Sequence, residues 1–310
     1  MRFFDLHCDL PTKIYKDNDD LLYNNAHWDI TKCPSRDFVQ FFSCYIDKNL
    51  VSNPFEFTVN VLDLFKRKIL EVNKYINLAQ NYIDVINNRA ENKISTFLSI
   101  EGGEALEGNI ENLDFFYRKG VRMMSFTWNY ENELGYGVME EKESKPLKSF
   151  GLSVLKKMQE LNMIPDVSHL NQGGFFSIAE NSDIPIVASH SNSRKICNHI
   201  RNLTDEQAKI IIAKKGLVGI NLHSDFLATN KTATLKDVLK HIYYFLELGA
   251  EENLAFGCDF DGTDMLPEEI NDVSKMYYLA EEMQKNHFSD EIIAKLCYKN
   301  AESLIKRALI

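Results

Sequence analysis

The sequence predicts an α/β protein, and more narrowly a (β/α)₈ barrel of the TIM type, on three observations. Short apolar runs rich in Val, Ile and Phe alternate with longer amphipathic stretches along the 310-residue chain. Eight such runs can be counted, the number a closed parallel barrel needs. His, Asp and Glu recur where those runs end, on the rim where barrel enzymes keep their sites. Alternation alone would suit a doubly wound open sheet nearly as well, so closure rests on the count.

The expected strands are Arg2–His7, Phe38–Tyr45, Ile94–Ile100, Val121–Phe126, Ile164–Ser168, Ile184–Ser189, Leu217–Leu222 and Leu254–Gly257. Each is nearly continuous in apolar residues, as strands covered on both faces must be. Pro54–Asn88 is the longest helical stretch, apolar at Val61, Leu62, Leu64, Phe65, Ile69 and Leu70. Ser149–Leu161 presents Leu152, Leu155 and Met158 at helical spacing. Thr204–Lys214 opens on a capping box, Thr204 with Gln207 three residues later. Thr234–Leu248, Pro267–Gln284 and Ser289–Ile310 follow the same logic. Lys13–Pro34 and Asn129–Lys148 are long polar connections, expected as loops near the substrate. With no internal repeat, low-complexity segment or linker, residues 1–310 are expected to form a single domain.

Composition narrows the functional class. The apolar fraction of 45% and charged fraction of 26% are those of an ordinary soluble globular protein. Forty-five acidic against 35 basic residues leave a net charge of −10, which argues against nucleic-acid partners and against anionic membrane surfaces. Six dispersed cysteines form no C-x-x-C pair and read as small buried hydrophobes in a reducing compartment. No run approaches the roughly 18 apolar residues of a membrane span. Met1 is followed directly by Arg2-Phe3-Phe4-Asp5, too little for a secretory leader. The expected location is the cytoplasm.

The chemistry sits in short segments. In Asp5-Leu6-His7-Cys8-Asp9, residues two apart share a face of an extended chain, so His7 and Asp9 project together as a pair of metal ligands while Cys8 turns away. His-x-Asp is common by chance, and position on the first strand is what raises it. Glu101 ends the run Phe97-Leu98-Ser99-Ile100 before two glycines; it could bridge two metals or merely begin a helix. Two consecutive strands end alike, Asp166-Val167-Ser168-His169 and Ala188-Ser189-His190. A lone histidine at a strand end is usually structural, but a repeated Ser-His on neighbouring strands places two imidazoles at one rim. Asp259 ends the last strand, where a carboxylate suits proton transfer. The set suffices for two metals, one held by His7 and Asp9 and one by His169 and His190, with Glu101 between.

Taken with Gln40-Phe41-Phe42-Ser43-Cys44-Tyr45, Ile100-Glu101-Gly102-Gly103-Glu104-Ala105-Leu106, Gly120-Val121-Arg122-Met123-Met124, Ser189-His190-Ser191-Asn192, Ile200-Arg201-Asn202-Leu203 and Gly257-Cys258-Asp259-Phe260-Asp261-Gly262, these segments resemble the membrane dipeptidase family, peptidase M19, among the metal-dependent amidohydrolase-like barrels. The resemblance runs over nearly the whole chain. It implies two Zn²⁺ per chain, ligated by His7 and Asp9, by His169 and His190, and by a shared Glu101. It implies that Asp259 handles the proton and that Arg201 holds the substrate's C-terminal carboxylate, a reasonable task for a guanidinium fork. Alone, Arg201 would read as a solvated surface arginine.

The implied reaction is hydrolysis of dipeptides, L-L and also L-D, by a hydroxide bridging the metals. One departure stands out. The mammalian branch places a histidine on the loop after the fourth strand, and here that place is taken by Trp128, followed by Asn129. Either could donate a hydrogen bond to the developing oxyanion, and Trp128 reads equally as a packing aromatic. No leader or lipid-anchor tail like those of the mammalian members is expected here. His223, after the seventh strand, could touch substrate or be structural. A homodimer is open to such a chain, though no interface is readable. The rival reading is another binuclear metal hydrolase of the same barrel acting on a lactone, amide or phosphoester, and Arg201 is the feature that separates the two.

Overall fold

The computed structural model describes residues 1–309, the side chains of 141–143 excepted. Nine parallel strands are present: β1 Phe3–Asp5, β2 Phe38–Tyr45, β3 Ile76–Leu78, β4 Ile94–Glu101, β5 Val121–Ser125, β6 Ile164–Asp166, β7 Val187–Ala188, β8 Leu217–Ile220 and β9 Leu254–Phe256. Eight of them close a ring in the order β1-β2-β4-β5-β6-β7-β8-β9, with β9 returning to β1. The closed parallel barrel expected from the count is therefore the observed one, and the open sheet is excluded.

The helices are α1 Leu10–Asp17, α2 Pro54–Glu71, α3 Tyr82–Ala90, α4 Glu111–Arg118, α5 Ser149–Glu160, α6 Gln172–Asn181, α7 Asp205–Ala213, α8 Ser224–Leu227, α9 Leu235–Glu247, α10 Met276–Lys285, α11 Asp290–Ala294 and α12 Asn300–Ala308. The capping box expected at Thr204 is formed, and Thr234 makes a second with Asp237. Four expectations need correction. The long helix over Pro54–Asn88 is α2 and α3 separated by β3, which pairs with the first half of β4 while β5 pairs with the second. The stretch Lys13–Pro34 is not all loop, because α1 begins directly after Asp9 with Pro11 in its first turn. The Pro267–Gln284 helix starts only at Met276, and Ser289–Ile310 is interrupted by a π-helical turn over Lys295–Lys299. Ile310 lies outside the described residues.

Two apolar layers hold the ring. The outer one joins the strands to the helices, from Phe3 and Phe38 to Leu296. The inner one fills the lumen with Phe4, Phe41, Phe97, Met123, Ile164, Val187 and Leu217. The rings of Phe4, Phe41 and Phe97 lie nearly parallel, with centroids 4.9–6.3 Å apart. Leu304 and Ile305 of α12, with Leu309 just after it, join the same cluster and seal the floor. The lumen is thus a packed plug of hydrocarbon, and polar chemistry is confined to the strands' C-terminal ends.

Candidate metal centre and active site

Each candidate metal ligand, and Asp259, lies at or just past the end of a barrel strand. The first strand stops at Asp5, and the chain bends at Leu6. Leu6 stays in the lumen cluster with Phe4 while the bend turns Cys8 to the outer one, so that His7 and Asp9 face the rim together. Glu101 is the last residue of β4, His169 follows β6, His190 follows β7 and Asp259 follows β9. His169 and Asp259 adopt left-handed backbone, with φ of 66° and 63°. Such conformations cost non-glycine residues energy and persist where the surroundings fix them.

The side chains converge. His7 Nε2 stands 3.3 Å from Asp9 Oδ2, 3.6 Å from Glu101 Oε2 and 4.0 Å from Asp259 Oδ1. On the other side of Glu101, Oε1 is 2.8 Å from His169 Nε2 and 3.3 Å from His190 Nε2. One carboxylate oxygen faces the first pair and the other faces the second, the disposition expected of a bridging ligand. All of these residues are buried.

Hydrogen bonds at the far nitrogens decide what the imidazoles offer. His169 Nδ1 donates to Asn129 Oδ1 at 2.8 Å. For His190 the assignment follows from Asp166, a carboxylate that only accepts. Ser189 Oγ donates to Asp166 Oδ2 at 2.6 Å, so the same oxygen accepts from His190 Nδ1 at 2.7 Å. Both rings therefore carry their proton on Nδ1 and turn an Nε2 lone pair inward. Those two nitrogens are 2.8 Å apart. Facing lone pairs repel unless a cation draws them together.

Electrostatics point the same way. Burial, then the neighbouring Arg201, push His169 down to about 3, and burial with His7 lowers His190, so both are neutral ligand forms. Burial opposes the charge on Glu101, but His7 and His169 outweigh it and hold the carboxyl well below its ordinary range. Burial, followed by Glu101, lifts Asp9 well above its ordinary value. Among the described residues, no Lys or Arg pairs with Asp9, Glu101 or Asp259, and Asp9 Oδ1 and His7 Nδ1 have no hydrogen-bond partner. Buried carboxylates with no Lys or Arg partner, beside inward lone pairs, fit a divalent cation.

A cavity of about 360 Å³ opens over this cluster. Trp128 and Asn129 form part of its wall, and Trp128 packs edge-on against Tyr45 and Tyr130 at 5.1 and 5.5 Å. His223 also lines it; its Nδ1 accepts from Asp225 N–H at 3.3 Å, which leaves Nε2 as the protonated nitrogen. Arg201 is placed differently from the rest. It is buried beside His190, donating from Nη2 to the His190 carbonyl at 3.2 Å, with its guanidinium 5.5 Å over the Phe226 ring and its Nε without a partner. It does not belong to the wall of the main cavity.

Several supporting residues escaped sequence reasoning. Asp166 collects Ser125 Oγ at 2.8 Å, Ser189 Oγ, and the backbone N–H groups of Ser168 and Ser189 at 2.9 and 3.0 Å, tying together the ends of β5, β6 and β7. Its signal was an acid inside an apolar run, two residues before Ser168 and so on the same face. Asn221 donates to Asp259 Oδ2 at 3.0 Å and accepts His223 N–H. Gly219 and Gly257 flank the Ser189 carbonyl so closely that a Cβ at either would lie within 2 Å of it, which keeps β7, β8 and β9 in tight contact beneath His190.

A model of the membrane dipeptidase family (peptidase family M19) matches residues 1–308. An uncharacterized Klebsiella pneumoniae protein from the pqqA 5′ region is 29% identical over 263 residues, 82% of this chain and 97% of that one. An uncharacterized dipeptidase of Schizosaccharomyces pombe is 26% identical over 81% of this chain and 64% of its own length. Among solved structures, a metallopeptidase, dipeptidase AC, superposes with a TM-score of 0.93 at 24% identity, covering 100% of this chain and 99% of that one. A Rhodobacter sphaeroides metallopeptidase, solved with a phosphinate mimic of L-Ala-D-Ala, gives 0.91 at 23% identity over 99% of both chains. On the family match, the chain belongs to the membrane dipeptidase family, peptidase family M19, and is a metal-dependent dipeptidase.

Proposed function

We propose that this chain is a zinc dipeptidase acting on L-L and L-D dipeptides with a free C-terminal carboxylate. Two Zn²⁺ would be held, one by His7 and Asp9 and one by His169 and His190, with Glu101 shared. The observation that carries the reading is the meeting of two inward imidazole lone pairs on one Glu101 oxygen, while His7 and Asp9 meet the other. Imidazole with carboxylate is the donor mixture zinc takes in hydrolases. The R. sphaeroides protein of the same fold, with its L-Ala-D-Ala mimic, supports including D-residues. Residues 1–310 act as one domain in this reading, which the family match over 1–308 supports. Six unpaired cysteines support a reducing compartment, the cytoplasm.

Bound zinc supplies Lewis acidity for the scissile carbonyl and acidifies water near neutral pH. The chain's own residues do the rest. Asp259 accepts the proton of the attacking water and passes it to the leaving amine. Asn221 aims it, holding Oδ2 so that Oδ1 faces His7. Arg201, set back from the cavity wall beside His190 with its Nε unpartnered, takes the substrate's C-terminal carboxylate. Trp128, on the cavity wall, packs against the substrate. His223 offers a ring N–H from that wall. Asn129 contributes its amide N–H to the oxyanion and fixes His169 through Oδ1.

The test is a panel of L-Ala-L-Ala, L-Ala-D-Ala and their C-amidated and N-acetylated forms, offered to protein of measured zinc content with a chelated control. Chelator-sensitive release of alanine from the dipeptides with a free carboxylate is expected. Protein that holds two zincs and cleaves none of them would sink the reading.

A further inference from the structure

The cavity has a wall that the reaction itself does not use. Helix α1 starts one residue after Asp9 and turns Thr12, Lys13, Lys16 and Asp17 toward the cavity, four positions on one helical stripe. The helix is pinned there: Thr12 Oγ1 donates to the Tyr45 carbonyl at 3.1 Å and accepts Tyr45 N–H at 2.9 Å. Lys13 is engaged by Asp17 at 3.7 Å, one turn on. Lys16 is not so engaged. Its ammonium stands 5.7 Å over the Tyr45 ring, and among the described residues no carboxylate lies within ion-pair distance of it. The acids of the cavity are Asp9, Glu101, Asp259 and Asp261 around the proposed metal positions and Asp17 on α1 itself. An ammonium at the mouth without a carboxylate partner is therefore an addressed contact for an anionic group on the substrate.

Topology says which end of the substrate it meets. α1 follows β1 and packs on β2, whereas Arg201 lies in the segment after β7, nearly opposite on the eight-stranded ring. With the C-terminal carboxylate on Arg201, the N-terminal residue extends toward α1. We infer that Lys16 forms a subsite for a side-chain carboxylate on the N-terminal residue, so that dipeptides beginning with Glu or Asp are preferred. This rests on the dipeptidase reading above and names its substrate class.

An ion pair at this solvent-open mouth should favour its substrate up to about fivefold in kcat/KM. Reversing the charge replaces attraction by repulsion, so the total swing is about 25-fold.

The experiment compares kcat/KM for L-Glu-L-Ala, L-Ala-L-Ala, L-Lys-L-Ala and L-Ala-L-Glu in the metal-loaded full chain, its Lys16→Met and its Lys16→Glu variants. The readout is the ratio within each protein, so a general loss of activity cancels. In the wild type, Glu-Ala should exceed Ala-Ala about fivefold and also exceed Ala-Glu. Lys16→Met should bring the Glu-Ala to Ala-Ala ratio near one, and Lys16→Glu should take it below one while favouring Lys-Ala. Equal treatment of Glu-Ala and Ala-Ala by the wild type, preference for Ala-Glu, or an unchanged ratio in Lys16→Glu each overturns the subsite. The last is what a lysine holding the main-chain carboxylate would give. A metal-loaded wild type that cleaves none of the four overturns the dipeptidase reading, and the subsite with it.

Discussion

On the two-zinc reading proposed above, removing the Ser189 hydroxyl should weaken one metal position and spare the other. In Ser189→Ala, His190 Nδ1 loses its acceptor, and Asp166 loses one of its two hydroxyl donors while keeping Ser125 and both backbone N–H groups. The imidazole is then free to rotate or to change tautomer, and a buried N–H is left without a partner. An unsatisfied buried donor costs about 1–3 kcal/mol. Outer partners of ligating histidines are independently worth about 10- to 100-fold in metal affinity, or about 1.4–2.7 kcal/mol. The two figures agree, and the expected loss is one to two orders of magnitude at the position held by His169 and His190. Zinc titration against a chromophoric chelator should show one affinity retained and one reduced, and the absorption bands of the cobalt-substituted protein should change at one site. Ser189→Ala protein that binds both metals with wild-type affinity would refute the tautomer argument. Thermal unfolding of the metal-free variant controls for damage to the barrel.

Three further outcomes follow from the same geometry. Asp259→Asn should retain its metals but lose about 10²- to 10⁴-fold in kcat, and loss of metal with the activity would make Asp259 a ligand instead of the proton carrier. Arg201→Met should lower kcat/KM for free-carboxylate dipeptides by about 100-fold and barely alter any residual turnover of C-amidated substrates; equal losses on both would remove its assigned role. His241 is pushed down to about 4 by burial, with Nδ1 accepting from Ser193 N–H and Nε2 donating to the Leu227 carbonyl. Its folded value lies below that of the unfolded chain, so the unfolded state takes up a proton first as pH falls. Stability should therefore be lost between about pH 6.5 and 4, by up to about 3 kcal/mol. Metal-free His241→Gln should show a flatter dependence in denaturant unfolding, and an unchanged slope would assign the acid sensitivity elsewhere.

The eight barrel strands and the residues at their ends were legible because burial on both faces writes strands as apolar runs, against which a terminal His or acid stands out. β3 was not, since a three-residue strand inside a long amphipathic stretch carries too little period to register; the asparagines around it, with Asn81 capping α3, were its only punctuation. The bend at Leu6 was also invisible, because strict alternation along Arg2–His7 would put His7 on the face of Phe3, which packs outward. Asn129 lines the cavity, but the hydrogen bond that its Oδ1 accepts from His169 was not legible. Supporting contacts of this kind depend on which strand ends come together, and short polar residues give no such address in one dimension. Arg201 belonged to that class too: only the resemblance singled it out, and burial beside His190 is a property of the closed ring.

The floor of the lumen has a consequence for how the molecule is made. Phe4 and Phe41 emerge early in synthesis, but the residues that cover them from below, Leu304, Ile305 and Leu309, emerge more than 250 positions later. Strand β1 likewise waits for β9 before its second edge is paired. A nascent chain must therefore carry an open, aromatic-lined half-ring for most of its translation, with unpaired edges at both ends. Chaperone capture should peak after β5 has cleared the ribosome, and truncation within α12 should leave a barrel that forms its rim yet aggregates through its base.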